Sequence, residues 1–250
     1  MKRRWPDFLA RPIVRAARRR FAPQLMFVEA RLSRQGHLGL RLTASVLLFI
    51  AATWLFAGIA EDVVTGDPLV QVDQQITAWA RAHATPGITR WMLLVTDAHG
   101  TVGISLMGLA LALYLTWRRN WFWLGTLAVV LPGGMLLNLL LKQIFHRSRP
   151  SPDDPLLTLL TYSFPSGHVT GSTLFYGVLA TFLAARVRSG LERLLILGLA
   201  GLLVFAVGVS RIYLGVHYFS DVVAAAAWST AWLVMWPLAI DLFCRRMSLD

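Results

Sequence analysis

Trp121 to Leu141, WFWLGTLAVVLPGGMLLNLLL, runs 21 residues without an Asp, Glu, Lys or Arg and ends against Lys142. At about 1.5 Å of rise per residue such a helix is roughly 31 Å long, the thickness of a bilayer's hydrocarbon core. The run is continuously apolar and rich in Leu and Gly, without the alternation of a barrel strand, so it reads as a membrane helix. Five more stretches free of charge repeat the pattern: Leu42 to Ala60, Ala98 to Trp117, Val169 to Ala185, Leu194 to Ser210 and Val222 to Ile240. The fold expected is therefore all-α, an integral membrane bundle of six transmembrane helices. The two shortest runs, Val169 to Ala185 and Leu194 to Ser210, must borrow polar residues at their ends. The first extends back through Ser166, Gly167 and His168, and the second onward into Arg211, which puts these groups at one membrane face.

Composition agrees. Of 250 residues, 56% are hydrophobic and 15% charged, outside the range of soluble domains. The formal net charge of +11 would suit a nucleic-acid partner, but the Lys and Arg residues flank apolar runs instead of covering a soluble face, and no nucleic acid is expected. The single cysteine, Cys244, excludes an internal disulfide framework and a cysteine-rich zinc cluster. Three regions follow: a basic cytoplasmic segment over 1–40, the six-helix domain over 41–243 and a cytoplasmic tail over 244–250.

With the N-terminus inside, 18 of the 24 Lys and Arg residues fall on the cytoplasmic side and six outside, the asymmetry that the positive-inside rule demands. Trp117, Trp121 and Trp123 flank an inner turn as an interfacial belt does. The basic first segment is too long for a signal-peptide n-region, so the first span is read as uncleaved. Arg11 to Gln35 reads either as a basic amphipathic helix on anionic lipid or as a disordered tail. Between the first two spans Val72, Ile76, Trp79 and His83 recur at helical spacing, which predicts a short amphipathic helix on the outer surface.

Of the six outward basic residues, Lys142, Arg149 and Arg211 lie in short polar blocks at helix ends with His168, His217 and Asp221. Polar groups gathered at one face of a membrane bundle mark a functional site, and these suit phosphate. Three cations match a phosphoryl charge of about −1.5 to −2, and Arg grips its oxygens with paired hydrogen bonds. Ser166 and Gly167 follow Pro165 at a helix start, where free backbone N–H groups form an anion site and glycine permits close approach. His217 and Asp221 are four residues apart and share a helical face. A carboxylate on one ring nitrogen leaves the other unprotonated and aimed, as a nucleophile requires.

Three ordered blocks, Lys142-x6-Arg149-Pro150, Pro165-Ser166-Gly167-His168 and Ser210-Arg211-x5-His217-x3-Asp221, resemble the signature of the type 2 phosphatidic acid phosphatase and vanadium haloperoxidase superfamily, with no departure at a signature position. The resemblance implies that His217 attacks phosphorus, Asp221 orients it and His168 protonates the leaving oxygen. Lys142, Arg149, Ser166, Gly167 and Arg211 would hold the nonbridging oxygens. It implies a lipid phosphatase that uses a phosphohistidine and needs neither metal nor other cofactor, with membrane lipids around it and no obligatory protein partner inferable. The active site faces the periplasm or outside, in a bacterial inner membrane. The first-choice substrate is undecaprenyl pyrophosphate; the alternative is phosphatidylglycerophosphate or phosphatidic acid. A vanadate-dependent haloperoxidase is disfavoured by six spans, and a silent scaffold by the retained His168, His217 and Asp221.

Other polar residues carry less. His146 and Arg147 lie inside the first block without matching it and either line the pocket mouth or face solvent. His37, His83 and His99 lack carboxylate or cysteine partners at metal-site spacing. Asp153 and Asp154, between prolines, read first as a loop turn and second as a substrate-gating rim.

Overall fold

The computed structural model describes residues 40–66, 68–150 and 161–247, with backbone alone at 40, 41 and 237–247. The basic N-terminal segment, with Arg11 to Gln35 and His37, and the Asp153–Asp154 turn lie outside the described residues. Residues 49–250 form one compact unit; of the other, residues 1–48, only the opening of the first helix is described.

Among the described residues the secondary structure is helical throughout: α1 (Leu40–Thr65), α2 (Pro68–Ala82), α3 (Pro86–Ala98), α4 (Thr101–Trp117), α5 (Trp121–Phe145), α6 (Gly167–Ala184), α7 (Gly190–Tyr213) and α8 (Phe219–Met247). Four of these are long and apolar enough to cross a membrane: α1, α5, α7 and α8. The pair α3 and α4, bent by 48° at His99–Gly100, adds a fifth if counted as one span. Large apolar side chains stand exposed along their outer faces, among them Trp54, Leu109, Leu113, Leu199, Leu202 and Phe205. Such a surface is stable against lipid tails and not against water.

The sixth expected span, α6, does not reach that standard of hydropathy, and packing explains why. It contacts α5, α7 and α8, and Thr170, Ser172 and Thr173 are buried on it beside Leu174, Phe175 and Val178. A helix sheathed by others needs small side chains for close contact more than lipid-like ones. Gly134 of α5 and Gly177 of α6 supply that closeness: a Cβ at the first would run into Leu174, and at the second into Leu233. Leu111 and Leu115 of α4, Leu127 and Val130 of α5, and Leu174, Val178 and Phe182 of α6 make the main core.

The segment between the first two long apolar runs holds two helices, α2 and α3, where the sequence reading has one. In α2 the inward face is Asp73, Thr77 and Ala80, while Val72 and Trp79 are exposed. The apolar stripe faces outward because the neighbours of Asp73 are polar. At the turn between α4 and α5, Trp117 and Trp121 are exposed, but Trp123 packs edge-on against Phe182.

Candidate active site

Lys142 sits one turn from the end of α5, where buried Asn138 lies one turn further in. The Asn138 amide donates to Thr170 Oγ1 (3.0 Å) and to the Pro165 carbonyl (3.4 Å), tying the Pro165–Ser166–Gly167–His168 turn to α5. Phe164, wholly buried against Phe145, anchors the same turn from its other side. Ser166 is the N-cap of α6, yet its hydroxyl makes no capping bond and has no partner although buried. The first amides of α6 start there, with Gly167 and His168 both lining a cavity.

That cavity, about 700 Å³, is polar at one end and apolar along the rest. Its polar end holds Lys142, Arg149, Gly167, His168, Arg211 and His217, with Asn138 and Thr161 beside them. Leu131, Leu127 and Leu124 line it down α5, opposite Ile104 and Ala112 of α4. From Lys142 to Leu124 is 18 residues of one helix, about 27 Å. Ser166 and Asp221 do not line it; each stands behind a residue that does. Every candidate site residue of the sequence therefore lies at this end or directly behind it.

His217 lies in the loop between α7 and α8, 2% exposed. Its Nδ1 is 3.2 Å from Asp221 Oδ2, and its Nε2 is 3.3 Å from Arg149 Nη1. A guanidinium can only donate, so Nε2 is the acceptor and Nδ1 carries the hydrogen that Asp221 receives. That is the tautomer with a lone pair on the cavity side. Burial, followed by the charges of Arg211, Arg149 and Lys142, holds the His217 pKa well below the ordinary histidine value, so the ring is neutral. Asp221 also receives the Tyr218 amide (3.0 Å), and its carbonyl accepts from the Ser166 amide (3.2 Å), which joins the second block to the third.

The three cations differ in how free they are. Lys142 donates to the Tyr162 carbonyl. Arg149 donates to the carbonyls of Thr161 and Val216, both at 2.9 Å; burial lowers its pKa, with Asp221 acting the other way. Arg211 is 2% exposed and gives Nη1 to Thr96 Oγ1 at 2.8 Å. Its Nε and Nη2 are buried without any partner. Uncompensated donors on a buried guanidinium are costly, and an oxyanion is what satisfies two of them at once.

Two residues of this region escaped the sequence reading. Arg147 neither lines the cavity nor faces solvent: it is nearly buried and paired with both Asp73 and Asp221. Burial opposes its charge, but the two carboxylates outweigh that and raise its pKa. Asp73 was hidden among the polar positions of a helix read from its apolar ones. His99, without a metal role to suggest it, bonds Tyr176 Oη and the Val95 carbonyl, each at 2.7 Å.

Residues 121–242, α5 through most of α8, match the model of the PAP2 superfamily. The chain carries a PAP2 superfamily domain. All three signature blocks fall inside the PAP2 match, as do the polar end of the cavity and its α5 wall. Phosphatidylglycerophosphatase B of Bacillus subtilis (strain 168) is 34% identical over 120 residues, 48% of this chain and 57% of that protein, so the match spans little more than half of the curated relative. The crystal structure of a transmembrane PAP2 type phosphatidylglycerolphosphate phosphatase from Bacillus subtilis superposes with a TM-score of 0.63 at 28% identity, covering 79% of this chain and 95% of the other. Aquifex aeolicus LpxE shares the fold, with a TM-score of 0.52 at 22% identity over 68% of this chain and 94% of that one. With its apolar helices and this PAP2 likeness, the chain is an integral membrane protein.

Proposed function

We propose that this PAP2 protein is a membrane-embedded lipid phosphatase working through a phosphohistidine at His217. The observation that carries the reading is Arg211, whose two unpartnered buried donors share a cavity end with the unprotonated Nε2 of His217. A phosphoryl group placed there meets Arg211, Arg149 and Lys142 with its nonbridging oxygens and Nε2 with its phosphorus. The Gly167 amide completes the cradle, with the unpartnered Ser166 hydroxyl behind it. His168 stands on the first turn of α6 beside them, placed to protonate the leaving oxygen and then to take a proton from water in the second step. The apolar walls of the cavity accept a lipid tail, and that favours a lipid over a soluble phosphate ester.

For the headgroup, the name carried by the Bacillus subtilis matches favours phosphatidylglycerophosphate, the alternative of the sequence reading, over undecaprenyl pyrophosphate, its first choice. Six spans remain the architecture proposed, with α3 and α4 as one bent unit and α6 as the sheathed sixth, and with the site facing outward. Purified protein in detergent and EDTA should release phosphate from phosphatidylglycerophosphate at least tenfold faster, by kcat/KM, than from an isoprenoid pyrophosphate. Preference for the pyrophosphate reverses the substrate choice. Failure on every lipid phosphate, or a strict need for divalent metal, overturns the mechanism.

A further inference from the structure

Behind the His217–Asp221 pair lies a second carboxylate. Asp73, on α2, is completely buried. One oxygen accepts the Ser220 amide at 2.9 Å; the other accepts the Ser220 hydroxyl and Arg147 Nη2, the latter at 2.7 Å. Arg147 reaches with Nη1 to Asp221 Oδ1 at 2.6 Å and to Ser220 Oγ at 2.7 Å, its guanidinium 4.2 Å from the centre of the Tyr218 ring. Asp73 and Asp221 act only as acceptors in this network, as ionised carboxylates do. Two carboxylates against one guanidinium leave a surplus of one negative charge on the Nδ1 side of His217. The Nε2 side carries Lys142, Arg149 and Arg211 instead. Charge of opposite sign is thus set on either side of one imidazole.

We propose that Asp73 and Arg147 are positioning residues of the hydrolytic site, which hold Asp221 from behind and stabilise the cationic ring formed at His217; this rests on the phosphatase reading. In the first step the Nε2 lone pair forms the N–P bond and the P–O bond to the leaving group breaks. The bonding pair goes to the leaving oxygen, which takes a proton from His168. The Nδ1–H stays on the ring, so the ring gains a positive charge beside Asp221 and, through Arg147, Asp73. Within a buried site a fixed surplus charge lowers the energy of that state without any reorganisation. Neither residue lines the cavity, so they act on rate and not on binding. They also make α2 part of the machinery, since its only fully buried charge is the far end of this relay.

The test is Asp73→Asn in the full-length protein in detergent, which keeps shape and removes charge. Phosphoenzyme formation and kcat should fall about 10- to 100-fold with KM changed less than about threefold, and ring ¹⁵N shifts should show His217 losing its single Nδ1–H tautomer. Should that variant not fold, Asp73→Ser removes the same charge while its smaller hydroxyl can still accept from Ser220 or Arg147, and the same losses are expected. Folded variants with wild-type rates and an unchanged ring overturn the proposal. If wild-type protein hydrolyses no lipid phosphate, the phosphatase reading fails, while the ring shifts still judge whether Asp73 positions His217.

Discussion

Arg211 and Lys142 illustrate how unequal three cations in one pocket are. Lys142 is already bonded to a backbone carbonyl, while Arg211 has a planar fork with one nitrogen satisfied and two free. An ammonium cannot reproduce that fork. Arg211→Lys should therefore lower kcat/KM on a lipid phosphate by about 10²- to 10³-fold, roughly 3–4 kcal/mol of transition-state stabilisation; a loss under fivefold would show that the free donors do not meet the phosphoryl group. His217 yields a second prediction. Its folded pKa is depressed, so below the unfolded value of about 6.5 the folded state binds fewer protons than the unfolded one. The contribution of this residue to stability is whole above that pH and declines as pH falls below it. In ring ¹⁵N spectra His217 should remain neutral at pH 6; a protonated His217 at that pH contradicts its burial beside three cations. Block residues such as Arg149 and Asp221 could be read from sequence because spacing along one helix or one motif fixes them. Asp73 and Arg147 meet across 74 residues, and no local pattern encodes that.

At the scale of elements, the long apolar helices were legible because lipid exposure demands an unbroken apolar run, as in α5 and α7. The join between α3 and α4 was not, because a bend depends on contact between two backbones. Gly103 lies in the first turn of α4, and a Cβ there would collide with the Ala98 carbonyl at the end of α3. Since the obstacle is main chain, it cannot rotate away. Gly103→Ala should destabilise the protein by about 1–3 kcal/mol despite alanine's better helix propensity, measured as loss of thermal stability in detergent. An unchanged or raised midpoint would mean that the 48° bend has slack. The Asn138 contact to the α6 entry was equally hidden: its signal, an amide within an apolar run, is plain only once its partners Thr170 and Pro165 are known.

For the molecule as a whole, charge bias predicts orientation. After Cys244 is replaced, a cysteine at His83, between α2 and α3, should react with an impermeant reagent from outside intact cells, and one at Arg119 or Arg188 only after the inner face is opened. The reverse pattern would place the site in the cytoplasm. Assembly of this protein follows from α6 being wrapped by α5, α7 and α8. Carrying Ser166 to Thr173 at its start and failing the apolar standard met by its neighbours, α6 is a poor candidate to leave the translocon for lipid unaided. Its partition into the bilayer is expected to be helped by α7 entering with it as a hairpin, and the histidine pocket is completed only when α8 brings Asp221 behind His217.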